Sequence, residues 1–238
     1  GGITAAAAAT PARAAPPVDA LAKTTCYTVI PDSSVTLKPE LKPITAANYI
    51  KSLKSAKALF LGEHHNSLRD HLLQADILTA LRKAEPKRPM AVGFEAIQRK
   101  FQPVLDDYLN GKIDLAQLEI QTEWEKRWFW PFRNYAPVFE AAKKYNFELL
   151  ALNADSEDLG TVEMDGLAGL PKERLAYYIP DRGLFRDFTN TTAFREYVAY
   201  VVAPSYRSHK EMGILRQTIT GQPLKEDMPF KNFYSGRM

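Results

Sequence analysis

Residues Ala58–Leu78 read ALFLGEHHNSLRDHLLQADIL and hold three of the chain's four histidines. Ala58-Leu59-Phe60-Leu61 is continuously apolar, the pattern of a strand covered on both faces. Gly62 is expected to let the backbone turn where a side chain would crowd a crevice. Glu63, His64 and His65 follow. Ser67-Leu68-Arg69-Asp70 has the form of an N-terminal cap, in which the hydroxyl satisfies an orphan N–H. A helix is therefore predicted over Ser67–Lys83. Leu72, Leu73, Ile77, Leu78 and Leu81 form its apolar stripe, and Pro86 and Pro89 end it.

The same alternation continues outward. Met90–Phe94 is a second buried-strand candidate, and Glu95 follows it. Helix is predicted over Gln98–Leu109, stopped by Asn110-Gly111, then over Leu115–Glu125 and Tyr135–Tyr145. Phe147–Leu152 is a third strand and runs into Asn153-Ala154-Asp155. Strands alternating with helices predict an α/β fold, a parallel (mixed) sheet with helices on both faces. Later segments read as short helices at Pro171–Tyr178, Thr191–Val202 and Ser205–Thr218. Before the first strand, Ile44–Ser55 reads as helix with Thr45 as N-cap, and Cys26–Ile30 as a short strand in an otherwise tail-like stretch. The expected organisation is a tail over residues 1–45 and one domain over residues 46–238.

Composition limits the function classes. The 238 residues are 45% hydrophobic and 25% charged, with a net charge of +3. That is ordinary for a globular chain, and its interleaved charges give no nucleic-acid footprint. With Cys26 as the single cysteine, no internal disulfide and no multi-cysteine metal motif can form. No stretch approaches the roughly 20 apolar residues of a membrane span. The start, GGITAAAAATPARAAPP, lacks acids and carries an A-R-A triplet like that before a signal-peptidase cut. A targeting remnant and a plain linker both fit it. No dinucleotide or P-loop glycine motif follows a strand, and no nucleophile elbow is present.

Position carries the functional argument. Three predicted strands end in Glu63-His64-His65, in Glu95 and in Asn153/Asp155, and carboxyl ends of parallel strands line one crevice. Imidazole with carboxylate suits a divalent metal, and a carboxylate beside bound metal can act as general base. Metal ligands Glu63, His65 and Glu95, with Glu63 and Glu95 catalytic, would make a metal-dependent hydrolase. Adjacent His64 and His65 diverge on an extended chain, so one is expected in the site. Each residue also has a structural explanation: a solvated turn for Glu63, a helix-start charge for Glu95, a local hydrogen bond for His71, the surface for His209. Trp124, Trp128, Phe129, Trp130, Phe132 and Tyr135 crowd together with Lys126, Arg127 and Arg133. They read as core or as a flat wall with cationic rims, fit for a porphyrin or a protein partner.

The segments ALFLGEHHN, DHLLQADIL, AVGFEAIQRKFQPVLDDYLNG, WEKRWFWPFRNYAPVFEAA and ELLALNAD resemble the ChaN-like haem-binding family, grouped with Tiki proteases and erythromycin esterases. The resemblance runs from Ala58 to Met238. It implies an α/β fold, haem or a related tetrapyrrole as cofactor, and a link to iron uptake in bacterial relatives. It also implies a tyrosine ligand that cannot be placed here, and pigments stacked at a dimer interface. The group's glycine–x–x–histidine turn falls on Gly62-Glu63-His64-His65 and its recurring glutamate on Glu95. This makes Glu63, His65 and Glu95, with Asn153 at the third strand end, the expected cofactor-binding residues, and leaves His64 aside. Similar plant and algal domains are plastid proteins, so a chloroplast, and within it the thylakoid lumen, is the expected location, with an exported bacterial envelope protein as the alternative. Relatives continue past FYSGRM into another such turn, so the domain is expected to be truncated there. The competing expectations are a haem-binding protein, a hydrolase, and a non-catalytic subunit of a larger, photosynthetic complex.

Overall fold

The computed structural model describes residues 20–30 and 39–236; the alanine-rich start lies outside them. Contacts divide the chain into two units, Gly1–Met90 with Phe129–Glu148, and Ala91–Trp128 with Leu149–Met238.

In the first unit, β1 (Cys26–Ile30) and β2 (Glu40–Ile44) pair antiparallel, from Cys26↔Ile44 to Ile30↔Glu40. The expected tail therefore contains a strand pair that the prolines concealed. Pro43 is tolerated because a two-stranded sheet has only edges. Helix α1 (Ala46–Leu53) is capped by Thr45, whose hydroxyl accepts from the Asn48 N–H at 3.2 Å. Helix α2 (Leu68–Ala84) is capped by Ser67, which accepts from the Asp70 N–H at 3.2 Å. Leu21, Ile50, Ile77 and Leu81 are buried together with Leu61, Leu73 and Met90 against them.

One expectation fails here and another is met only in part. Ala58–Leu61 is not a strand. No strand among the described residues pairs with it, so the run has no second layer, and Phe60 is 96% exposed. The buried face of α2 keeps Ile77, Leu78 and Leu81 of the predicted stripe and adds polar residues to it. His71, Gln74, Ala75, Ile77, Leu78 and Leu81 are buried, while Leu72 and Leu73 are half-buried. Polar groups at i and i+3 thus sit on the core face, which requires partners for them.

In the second unit, β3 (Ala91–Gln98) and β4 (Glu148–Asn153, its first residue assigned to the first unit) pair as a two-stranded parallel sheet. Their approach needs Gly93, where a Cβ would come within 2.5 Å of Leu152. β3 continues past the predicted end, so Glu95 sits mid-strand and the helix expected from Gln98 begins later, with α3 (Gln102–Leu109). The Gln102 side chain donates to the Leu149 carbonyl at 2.8 Å and accepts from the Ala151 N–H at 2.9 Å, extending the β4 ladder. Helix α4 (Leu115–Gln121) starts with an Asp114–Gln117 capping box. Glu123, at φ 52°, separates it from α5 (Trp124–Arg127) and breaks the predicted continuous helix.

Helix α6 (Phe132–Lys144) returns to the first unit and packs on α2. The remaining helices belong to the second: α7 (Ser156–Asp165), α8 (Lys172–Tyr178), α9 (Arg182–Thr189), α10 (Thr192–Tyr197), α11 (Ala203–Glu211) and α12 (Phe230–Ser235). A π-helical turn at Val198–Val202 joins α10 to α11. Val202, Leu215, Met228 and Phe233 form their core.

One side chain staples the end of α2. The Arg82 guanidinium donates to the carbonyls of Tyr145 (2.9 Å), Arg88 (2.7 Å) and Asn146 (3.1 Å) and lies 4.6 Å over the Phe147 ring. Arg82→Ala leaves those carbonyls without their charged donor and should lower stability by on the order of 2 kcal/mol, measured by urea denaturation.

Candidate functional site

The first unit concentrates its titratable groups on Glu63. One carboxylate oxygen accepts from the His65 Nδ1–H at 2.9 Å and from the Tyr135 hydroxyl at 2.8 Å. The other accepts from the Gln74 amide at 2.9 Å and lies 3.2 Å from His71 Nε2. That last contact is an ion-pair distance without the alignment of a hydrogen bond, since Nε2 has no hydrogen-bond partner. His71 is fully buried, and its Nδ1–H donates to the Ser67 carbonyl at 2.7 Å. Gln74 donates as well to the Leu61 carbonyl at 3.2 Å, tying the Ala58–Leu61 run to the same node.

Local geometry explains why these groups meet. His71 and Gln74 lie on the buried face of α2, and Tyr135 on the first turns of α6, which packs on it. Asp70 accepts from the His64 N–H at 2.8 Å and lies 2.9 Å from its Nδ1. This holds the His64 ring out, 87% exposed, while the adjacent His65 turns to Glu63. The His65 ring stacks on Trp130 at 5.7 Å between centroids. The Phe129 ring, 88% exposed, meets Trp130 edge-on at 5.1 Å. Gly62 has the opposite environment to that expected: a Cβ there would meet nothing within 4 Å. An open groove of about 360 Å³ passes it, lined by Tyr49, Phe60, Leu73 and Ile77 and, at its polar end, Glu63 and His64.

The two remaining candidates belong to the second unit. Glu95 is exposed and Asn153 half-buried; among the described residues neither side chain makes a hydrogen bond or ion pair. Asp155 is structural: it accepts from the Lys100 N–H at 3.0 Å and from Arg174 at 2.6 Å. Beside it, Gln98 bonds Ser156 at 2.6 Å and Arg127 at 2.8 Å. His209 is half-buried, its Nδ1–H donating to the Ser205 carbonyl at 2.8 Å. Among the described residues no group of three or more His, Cys, Asp or Glu is placed to hold a metal ion. The metal set of Glu63, His65 and Glu95, and the hydrolase built on it, thus has no coordinating cluster behind it. His71, Gln74 and Tyr135 were missed as members of the Glu63 cluster. A signal for the first two was present, in polar residues three apart on the core-facing side of a helix.

The profile described as "Haem-binding uptake, Tiki superfamily, ChaN" matches residues 49–231. The chain belongs to this haem-binding family. A curated relative, "Protein RETICULATA-RELATED 5, chloroplastic" of Arabidopsis thaliana, is 26% identical over 139 residues, 56% of this chain and 18% of that protein. The solved structure "Cofacial heme binding to ChaN of Campylobacter jejuni" superposes with a TM-score of 0.53 at 19% identity, covering 77% of this chain and 64% of that one. At that identity the likeness establishes a shared fold. The chain spans less than two thirds of either relative. No helix of the described residues is long and apolar enough to cross a membrane.

Charge in the cluster is fixed by these contacts. Burial pushes the Glu63 carboxyl up, but the nearby His71 ring and the donors His65, Gln74 and Tyr135 outweigh it and bring its pKa from 4.5 to about 2. Burial pushes His71 down, yet Glu63 and the Ser67 carbonyl raise it above 6.5. A depressed carboxyl stabilises the fold above its unfolded value and loses this as pH falls through the folded one; a raised imidazole stabilises below its unfolded value and loses this as pH rises through the folded one. The pair therefore contributes most between about pH 4.5 and 6.5. The stability deficit of Glu63→Gln against wild type, from urea denaturation across pH, should peak in that window and shrink on both sides.

Proposed function

We propose that this chain binds haem or a closely related tetrapyrrole, with His65 as the axial ligand. The observation that carries the reading is the His65 imidazole, 35% exposed, with Nδ1 held 2.9 Å from the Glu63 carboxylate and its ring stacked on Trp130. A carboxylate at Nδ1 fixes the tautomer and leaves Nε2 as the lone-pair nitrogen of the ring.

The donor set favours haem over a free divalent ion. A structural or catalytic ion needs three or four protein ligands. Haem iron already has four porphyrin nitrogens and asks one axial side chain of the protein. When bound, the group would supply iron chemistry; the chain's own part is to orient one imidazole and offer a flat aromatic surface, for which Trp130 and exposed Phe129 are suited. Arg133, exposed on the first turn of α6, is assigned to a propionate. Membership in a haem-binding family supports the same ligand. Glu95 and Asn153 are retained as secondary contacts, to be tested by substitution.

A plastid location is inferred from the chloroplastic Arabidopsis relative and the acid-free, alanine-rich start. Immunodetection in fractionated source cells should place the protein with plastids; recovery only from cytosol overturns this.

A second reading, an interaction subunit, draws on α9. There Leu184 is 69% and Phe188 59% exposed, an apolar pair four residues apart of the kind that, when part of a larger patch, marks an interaction site.

Haemin titration should give a Soret shift at micromolar concentrations. His65→Ala should weaken binding by about tenfold or more. No shift in the wild type overturns the haem reading, and an unaltered affinity in the variant overturns His65 as ligand.

A further inference from the structure

The open groove beside Gly62 has a chemistry of its own, independent of the haem reading. We propose that it binds a small primary amine with an aromatic body. The ammonium sits between Asp70 and Gln74, and the body lies along α2 against Phe60 and Tyr49.

The floor of the groove is one face of α2. Asp70, Leu73, Gln74 and Ile77 line it, at the i, i+3, i+4 and i+7 spacing that shares a helix face. Polarity is therefore graded along the axis, with acceptors at the helix start and hydrocarbon further on. From Asp70 to Ile77 the helix rises by about 10 Å, the span of an extended arylalkylamine. The volume of about 360 Å³ lies within the range of small-molecule sites, roughly 300–1,000 Å³.

Charge decides the kind of guest. Glu63 and Asp70 line the groove, and no lysine or arginine does. Among the described residues the ion-pair partners of both carboxylates are histidines. An anionic guest, a porphyrin propionate included, meets repulsion here, and a cation meets attraction. Gln74 adds a neutral acceptor. It is nine-tenths buried, and its Nε2 donates to the Leu61 carbonyl and to Glu63. Its Oε1 has no hydrogen-bond partner among the described residues, a penalty that a bound N–H removes.

The same contacts select an ammonium. Asp70 commits Oδ2 to the His64 N–H and Nδ1, with the Ser67 hydroxyl also near its carboxyl. This leaves Oδ1 as the oxygen open to a guest. Residues four apart are neighbours on a helix surface, so one compact ammonium can meet both Asp70 and Gln74. A guanidinium fork asks both oxygens of one carboxylate. On the apolar side, Phe60 is almost wholly exposed, and a Cβ on Gly62 would meet nothing within 4 Å. A guest covering Phe60 removes apolar surface from water, and the Phe60 and Tyr49 rings attract a nearby cation.

Calorimetric titration of the full chain with tryptamine, tryptophol and indole-3-propionate tests the proposal. The three share an indole and differ in the head: ammonium, hydroxyl or carboxylate. Tryptamine should bind about tenfold more tightly than either of the others. Asp70→Asn should bring tryptamine down to the level of tryptophol and leave tryptophol unchanged. Phe60→Ala, at a position exposed enough to leave folding intact, should weaken both by about threefold. Gly62→Leu fills the open space and should abolish binding of both. Should Asp70→Asn not fold by circular dichroism, the other two variants decide the location and the three heads decide the charge. No binding of tryptamine by wild type, or equal affinity for the three heads, overturns the proposal. Tryptamine affinity unmoved by both Phe60→Ala and Gly62→Leu places the amine elsewhere and overturns this groove as its site.

Discussion

The first unit depends on one half-buried negative charge and the groups that satisfy it. Taking a carboxylate out of water is costly unless hydrogen bonds and an opposite charge replace its hydration. Glu63 receives that replacement from a loop histidine, two side chains of α2 and one of α6. The charge therefore does structural work at long range in sequence: it holds the turn after Gly62 against two packed helices. The first cost of removing it would be borne by His71, which is fully buried and has Glu63 as the counter-charge beside Nε2.

The second unit solves a comparable problem with a larger set of ion pairs. Past the ends of β3 and β4, Gln98, Ser156, Arg127, Asp155 and Arg174 bond one another. Lys100 and Arg127 also share Glu157, at 3.0 Å each. Every one of these groups is engaged in joining α5, α7 and α8 to β3. Such closure rigidifies. In the first unit the network includes an imidazole that is 35% exposed.

What the sequence disclosed followed from locality. The caps at Thr45 and Ser67 are contacts over three residues, and a short motif states them completely. The divergence of His64 and His65 follows from adjacent side chains pointing apart, with Asp70 completing it. The misreadings were all non-local. Apolar residues at Ala58–Leu61 promise a strand, but a strand exists only with a neighbour to bond it. The end of β3 was misjudged because Glu95 looked like a terminus, whereas a sheet accepts one exposed charge on its outer face. Gly62 was credited with steric need where there is open space. Tyr135 could not be foreseen at all: 72 residues separate it from Glu63, and only the packing of α6 on α2 unites them.

The two roles of Glu63 constrain how this chain can vary. A substitution that abolishes the charge strips a counter-charge from buried His71 and a hydrogen-bond acceptor from His65 together. Tyr135 separates them. It touches the same carboxylate oxygen and lies 3.3 Å from His65 Nδ1; its removal leaves the charge, the neighbouring His71 ring and the amide donor in place, and the ring of phenylalanine preserves the packing against His71, which meets Tyr135 edge-on at 4.1 Å. Stability responds to the sum of donors on Glu63, whereas the basicity of His65 responds to how they divide its charge. The two quantities then move apart at Tyr135 and together at Glu63. A cluster that were only structural would move them together at both.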